Sequence, residues 1–250
     1  MTTHFNMKTI DSKRKNEKIT GAFFIAATTT AIIAVVLYNP VLKNPDFLSA
    51  ASNASTQISL GALFDLLLAV SNIGTGIMLY PYLKRYSESW GLGYALFRLL
   101  EVVFILIGVV SMLTIVKISH ESAGLSGNEL MALQASGNIL KTIYSWAFIL
   151  GPHFMLGINT FIYSSIFYQT KLVPAKLSSL GILGAVLIFI AAILELLEFI
   201  PHYSSEIILL ALPIAIYEMV LAGRLIRKGF HEEAYEPIQN ELPLTKSFAQ

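Results

Sequence analysis

The chain has no cysteine, and that absence removes disulfides, thiolate metal sites, iron–sulfur clusters and thiol nucleophiles. Charge is scarce too: 13% of the 250 residues are charged, against roughly 25% in soluble domains. The 17 Lys and Arg nearly balance the 16 Asp and Glu, so no basic excess points to nucleic acid. Histidine occurs five times, and only His153 lies deep in an apolar run. No H-x-x-x-H or H-E-x-x-H helix is present, so no metal site is expected. Bis-histidine haem lacks its second ligand. A G-x-S-x-G elbow and a Walker loop are also missing, which leaves serine hydrolysis of that style and ATP-driven pumping without support.

What the chain has instead is apolar length: 55% of it is hydrophobic. A helix needs about 20 apolar residues to cross the roughly 30 Å hydrocarbon core of a bilayer. Six windows satisfy this, at about 19–38, 58–80, 94–117, 139–168, 177–199 and 207–226. The runs are continuous rather than alternating, which argues against a β-barrel. The expected fold is all-α: a polytopic membrane protein built as a bundle of six transmembrane helices. It divides into an N-terminal segment (1–18), the transmembrane domain (19–228) and a polar tail (229–250). Lys13-Arg14-Lys15 before the first run resembles a signal-peptide n-region, but the run is too long and lacks a clear cleavage site, so it reads as an uncleaved helix. Thirteen Lys and Arg fall at the end that carries both termini, against three (Lys43, Lys117, Lys141) at the other. The positive-inside rule then places both termini in the cytoplasm of a cell (inner) membrane. Tyr38, Tyr80, Tyr82, Trp90, Tyr168 and Tyr203 sit near span ends, where interfacial anchors belong. The connection 39–57 reads as a polar, turn-rich loop. Ser126-Gly-Asn-Glu129 reads as a capping box that starts a helix leading into the fourth span.

Ionisable and amide groups inside spans are the candidates for binding a ligand or a proton: Asp65, Asn72, Arg98, Glu101, His153, Glu195 and Glu218. Helical spacing aligns Tyr94, Arg98, Glu101, Ile105, Gly108 and Met112 on one face of the third span. It does the same for Gly61, Asp65, Asn72 and Gly76 in the second, for Trp146, His153, Gly157, Thr160 and Ser164 in the fourth, and for Ser178, Gly181, Ala185, Ala192 and Glu195 in the fifth. These faces should converge on the interior. Arg98 should find a carboxylate, either Glu101 three residues on or an acid on a neighbouring helix. Pro152 and Pro213 each remove a backbone hydrogen bond near the midplane, as in the broken helices of transporters. His153 and Glu218, each near one of these prolines, are expected to approach a shared cavity. Blander roles suit the same residues. Arg98 and Glu101 would serve as a self-neutralising pair, Asp65 and Asn72 as hydrogen-bonding glue between helices, and His153 as an interior histidine with no ligand.

Several phrases together resemble a prokaryotic multi-pass membrane family, domain-of-unknown-function family 4386. They are Leu60-Gly-Ala-Leu-Phe-Asp65, Leu79-Tyr-Pro-Tyr-Leu-Lys84, Gly93-Tyr-Ala-Leu-Phe-Arg98-Leu-Leu-Glu101, Trp146-Ala-Phe-Ile-Leu-Gly-Pro152 and Leu172-Val-Pro174. The resemblance implies an acidic residue in span two and the Arg–Glu pair in span three. It supplies no activity. The residues themselves read best as a small-molecule or proton-linked carrier or a ligand sensor with an internal polar cavity. An intramembrane enzyme acting on a lipid or isoprenoid, and a structural scaffold, stay open beside it. Membrane lipids and a small-molecule ligand are the expected partners. Cofactors and oligomeric state are left unassigned by these residues.

Overall fold

A computed structural model describes residues 2–202 and 204–231. The expected anchor Tyr203 and most of the polar tail lie outside the described residues. Among the described residues nine α-helices follow in order: α1 (Thr2–Leu37), α2 (Asn39–Leu42), α3 (Phe47–Asn53), α4 (Ser55–Leu83), α5 (Glu88–Glu121), α6 (Gly127–Phe148), α7 (Leu156–Thr170), α8 (Ala175–Leu196) and α9 (Ser205–Arg227). A π-helix, Ile149–Met155, joins α6 to α7. There is no strand among the described residues. Six stretches are long and apolar enough to cross a membrane: 13–37 within α1, then α4, α5, the continuous path 127–170, α8 and α9. The outward faces of these helices are apolar, with Val70, Ile77, Val110, Ile139 and Leu209 all largely exposed. That surface suits lipid rather than water.

The spans pack in chain order into a closed ring. α1 touches α4, α4 touches α5, α5 touches α6 and α7, α7 touches α8, and α8 touches α9, which returns to α1. Helix and turn ends cluster accordingly. Arg14 on α1 donates to the carbonyls of Leu225 and Ile226 at 2.7 Å each, capping the open C-terminal end of α9. Glu17 accepts the backbone N–H of Phe230 at 3.2 Å. Tyr86 bonds Gln169, joining the α4–α5 turn to the end of α7, and His231 N–H donates to Leu172 O at 2.9 Å. The basic ends of the first and last spans therefore meet.

Three local departures from the sequence reading have physical causes. The connection 39–57 is not a loop but holds α2 and α3, because Val41, Phe47, Leu48 and Ala51 are apolar enough to bury beneath Tyr38, Met112, Ile115 and Tyr144. Tyr38 and Tyr82 are buried rather than interfacial, while Trp90 and Tyr168 are exposed at span ends. The capping box does mark the start of α6, with Ser126 extended (φ −147°), yet its side chain makes no capping bond. Pro152 sits inside the π-helix, where the wider turn accommodates a residue that cannot donate to the ladder. Gly151 makes that interruption fit. A Cβ there would lie 2.8 Å from Phe104 Cβ and 3.2 Å from the Glu101 carbonyl oxygen.

Candidate functional site

The site is organised around Arg98, which sits on the inward stripe of α5 and is among the largest fully buried side chains. Its Nη1 donates to Glu101 Oε2 at 2.8 Å, the i, i+3 geometry of one helix. Two amides complete the shell of that carboxylate. Asn72 of α4 donates to Oε1 at 2.9 Å, and Asn159 of α7 donates to Oε2 at 2.6 Å. Glu101 is thus held from three helices, and all four side chains are buried. A buried ion pair is tolerable only when its remaining lone pairs are occupied in this way.

A second carboxylate shares the same guanidinium. Glu218 of α9 lies with Oε1 4.0 Å from Arg98 Nη2. Its other oxygen accepts a long 3.3 Å bond from Thr28 of α1. Glu218 is therefore held far more loosely than Glu101. One guanidinium faces two carboxylates, so this group has one negative charge in excess unless a carboxylate carries a proton.

Towards the basic end lies a layer of phenols and hydroxyls. Tyr94, Tyr163 and Tyr217 are fully buried. The rings of Tyr94 and Tyr163 meet edge to face at 5.6 Å, and those of Tyr163 and Tyr217 stack at 5.9 Å. Ser164 donates to the Tyr217 hydroxyl at 2.9 Å. Phe24 of α1 packs 6.0 Å from Tyr163 and closes the layer.

Towards the other end the polar groups fall into two separate sets. Tyr38, between α1 and α2, donates to Asp65 Oδ2 at 3.0 Å, tying the end of the first span to α4. Across the bundle Glu195 of α8 takes two histidines. His153 Nδ1 lies 2.5 Å from Oε2, and His202 Nδ1 lies 3.1 Å from Oε1. Phe148 stands edge-on to His153 at 4.9 Å, and Trp146 edge-on to His202 at 6.3 Å. Among the described residues, no group of three His, Asp or Glu side chains could hold a metal ion.

The structure thus gathers Asn72, Arg98, Glu101 and Glu218 and leaves Asp65, His153 and Glu195 outside that group. The expected meeting of His153 and Glu218 does not occur: His153 is bound to Glu195, and Glu218 to Arg98 and Thr28. His153 stands with Glu195 towards the other end of the bundle and Glu218 with Arg98, so the two are separated along the bundle as well as around it. Four partners escaped the sequence reading. Tyr38 read as an interfacial anchor and His202 lay in a connecting segment. Thr28 and Asn159 are uncharged, although Asn159 in an apolar run was a signal of the kind that marked Asn72.

Comparison with known families gives one match. The family model described as Domain of unknown function (DUF4386) covers residues 19–229. The chain belongs to that family. The matched stretch contains every span core and all of the groups described above, so in this family member the Arg98–Glu101 pair and its amide donors belong to the shared domain. No curated protein and no solved structure matches the chain.

Proposed function

We propose that the protein takes up and releases a proton at Glu218 and works as a proton-linked carrier or ligand sensor, with both termini cytoplasmic in the cell (inner) membrane. The sharing of Arg98 between two carboxylates carries this reading. Glu101 is saturated by Arg98, Asn72 and Asn159, which makes it the firmly held partner of the guanidinium. Glu218, with only a 4.0 Å ion contact and a 3.3 Å hydroxyl bond, is the group free to change charge. Protonating it brings the group to neutrality and releases its hold on α5, so charge and helix position are coupled across the α5–α9 gap. A lipid-directed enzyme would need its polar groups to reach the apolar face, whereas Arg98, Glu101, Asn72 and Asn159 are all buried within the bundle.

The experiment is infrared difference spectroscopy of the full chain in lipid nanodiscs as pH is stepped through neutrality. A carboxyl C=O band should rise as pH falls and vanish in Glu218→Gln. A spectrum in which no titrating band responds to Glu218→Gln would sink the reading. Proton flux in liposomes, measured with an internal pH dye, then separates a carrier from a sensor.

A further inference from the structure

The chain leaves α8 through a left-handed turn made by a residue other than glycine. Glu198 has φ +59°. Its N–H donates to Glu195 O at 3.0 Å, and that of Phe199 donates to Leu194 O at 2.9 Å, so the segment closes the helix end and turns back over it. Pro201 follows, and seven residues after Glu195 the chain brings His202 back to it. A residue with a side chain keeps a left-handed conformation only where its surroundings hold it there. The bond between His202 Nδ1 and Glu195 Oε1, at 3.1 Å, is one such hold. The second carboxylate oxygen is taken by His153 of the π-helix at 2.5 Å.

Three segments thus meet on one carboxylate, and they differ in access. The side chains of Glu195, His153 and His202 are 1%, 8% and 32% exposed. The two histidines are the charged or titratable groups acting on Glu195 among the described residues. α7 and α9 also pack on α8 and add none. Glu198 and Glu206, the acids of the connection and of the first turn of α9, are exposed.

We infer that His153, Glu195 and His202 form a second proton-binding site, loaded from solvent at His202, and that the bound proton fastens the α8–α9 connection over the end of the bundle opposite the basic one. With both imidazoles neutral, each Nδ1–H can donate to Glu195, but the triad carries one uncompensated negative charge at a buried place. One further proton turns a ring into an imidazolium and brings the triad to neutrality, with a bond that is charged on both sides. When the connection lifts, His202 leaves the carboxylate and returns to water. The closed form therefore holds the proton more tightly than the open one, so closing takes up a proton. Acid favours the closed connection, and the hold weakens as pH rises through the range in which imidazole loses its charge. α9 begins just past His202, so a proton bound here acts on the helix that carries Glu218. The inference does not rest on the titration of Glu218.

The test uses the full chain in lipid nanodiscs and a reporter already in place. The chain has two tryptophans. Trp90 is exposed at the start of α5, whereas the Trp146 ring lies 6.3 Å from that of His202. An imidazolium quenches indole emission more strongly than a neutral imidazole. In a Trp90→Phe background, Trp146 emission should fall along a sigmoid as pH is lowered from about 8 to about 5. His202→Gln should flatten that curve. Glu195→Gln should move its midpoint to lower pH, because the ring loses the carboxylate that holds its proton. Flat emission in the otherwise unaltered chain, or a response that survives His202→Gln, would show that no proton binds there. A midpoint unmoved in Glu195→Gln would show His202 titrating as an isolated surface ring and would overturn the site. The fastening has its own readout. Between about pH 6 and pH 8 the melting temperature should fall further in the unaltered chain than in His202→Gln. Equal pH dependence in the two would overturn the fastening, whatever their absolute stabilities. The Trp146 response should persist in Glu218→Gln, so failure at Glu218 and failure at this site are separate results.

Discussion

Asn159 reaches Glu101 from a helix on the other side of the interior, its amide nitrogen 2.6 Å from Oε2. The bond closes the third side of a carboxylate that Arg98 and Asn72 already hold. It also locks α7 against α5 directly below the π-helix, so the interruption at Pro152 is anchored on its basic side.

Asn159→Ala should therefore destabilise the protein more than a surface change would. Loss of a buried bond to a charged group costs about 1.5–3 kcal/mol. Thermal unfolding in one detergent, set beside an alanine change at exposed Asn138, would measure it. Equal melting temperatures for the two variants would show that Asn159 adds nothing to Glu101.

The ion pair of α5 should behave as a coupled unit. Arg98→Ala or Glu101→Ala alone leaves a buried charge without its partner, at a cost of about 3–5 kcal/mol. The double variant should lose less than the sum of the two, and Glu101→Ala should lose somewhat less than Arg98→Ala, because Arg98 keeps Glu218 whereas the two carboxylates keep no cation. Strictly additive losses in a double-mutant cycle would show that the contact is incidental.

Gly184 sets the distance between α8 and α9. A Cβ there would stand 2.8 Å from both the N and Cα of Ile214, backbone atoms that cannot turn aside. Gly184→Ala should push the two helices apart at a cost of about 1–3 kcal/mol. The control is Gly223→Ala, on the open side of α9, where a Cβ meets nothing. A more costly control than Gly184→Ala would contradict this packing.

Much of this interior was legible in the sequence, for a simple reason. Charged or amide side chains in apolar runs are costly to insert, so Asp65, Asn72, Arg98, Glu101, His153, Glu195 and Glu218 stand out, and an i, i+3 spacing makes one pair obvious. Stripe arithmetic also holds wherever the helix is regular: the predicted faces of α4, α5 and α8 are the buried ones. In the fourth span His153, Gly157, Thr160 and Ser164 are buried as well, and only Trp146, on the other side of the π-helix whose wider turns rotate one half against the other, is half-buried. The arithmetic cannot relate one helix to another, which is why His153 was matched to Glu218 by depth when its partner stands on α8. Tyr38 was misread because a tyrosine at a span end looks the same whether its ring meets headgroups or a buried aspartate.

Orientation rests on charge alone and can be checked directly. A reporter active only outside the cytoplasm should score when fused after Ser52 or Gly127 and stay silent after Phe230. Those positions follow from thirteen basic residues at one end against three at the other. Any other pattern rejects a six-span chain with cytoplasmic ends.

The ring of helices has a consequence for how the protein is made. Among the spans α1 has two neighbours, α4 and α9, and the second of them is made after the other five. Until then Arg14 has no α9 carbonyls to cap and Thr28 no Glu218 to bind. Five inserted helices must wait as an open arc, with Arg98 exposed along the seam where α9 will dock. Closing that seam delivers the second carboxylate to the guanidinium and completes the site in one late step, so a chain that stops short of α9 is left as substrate for membrane quality control.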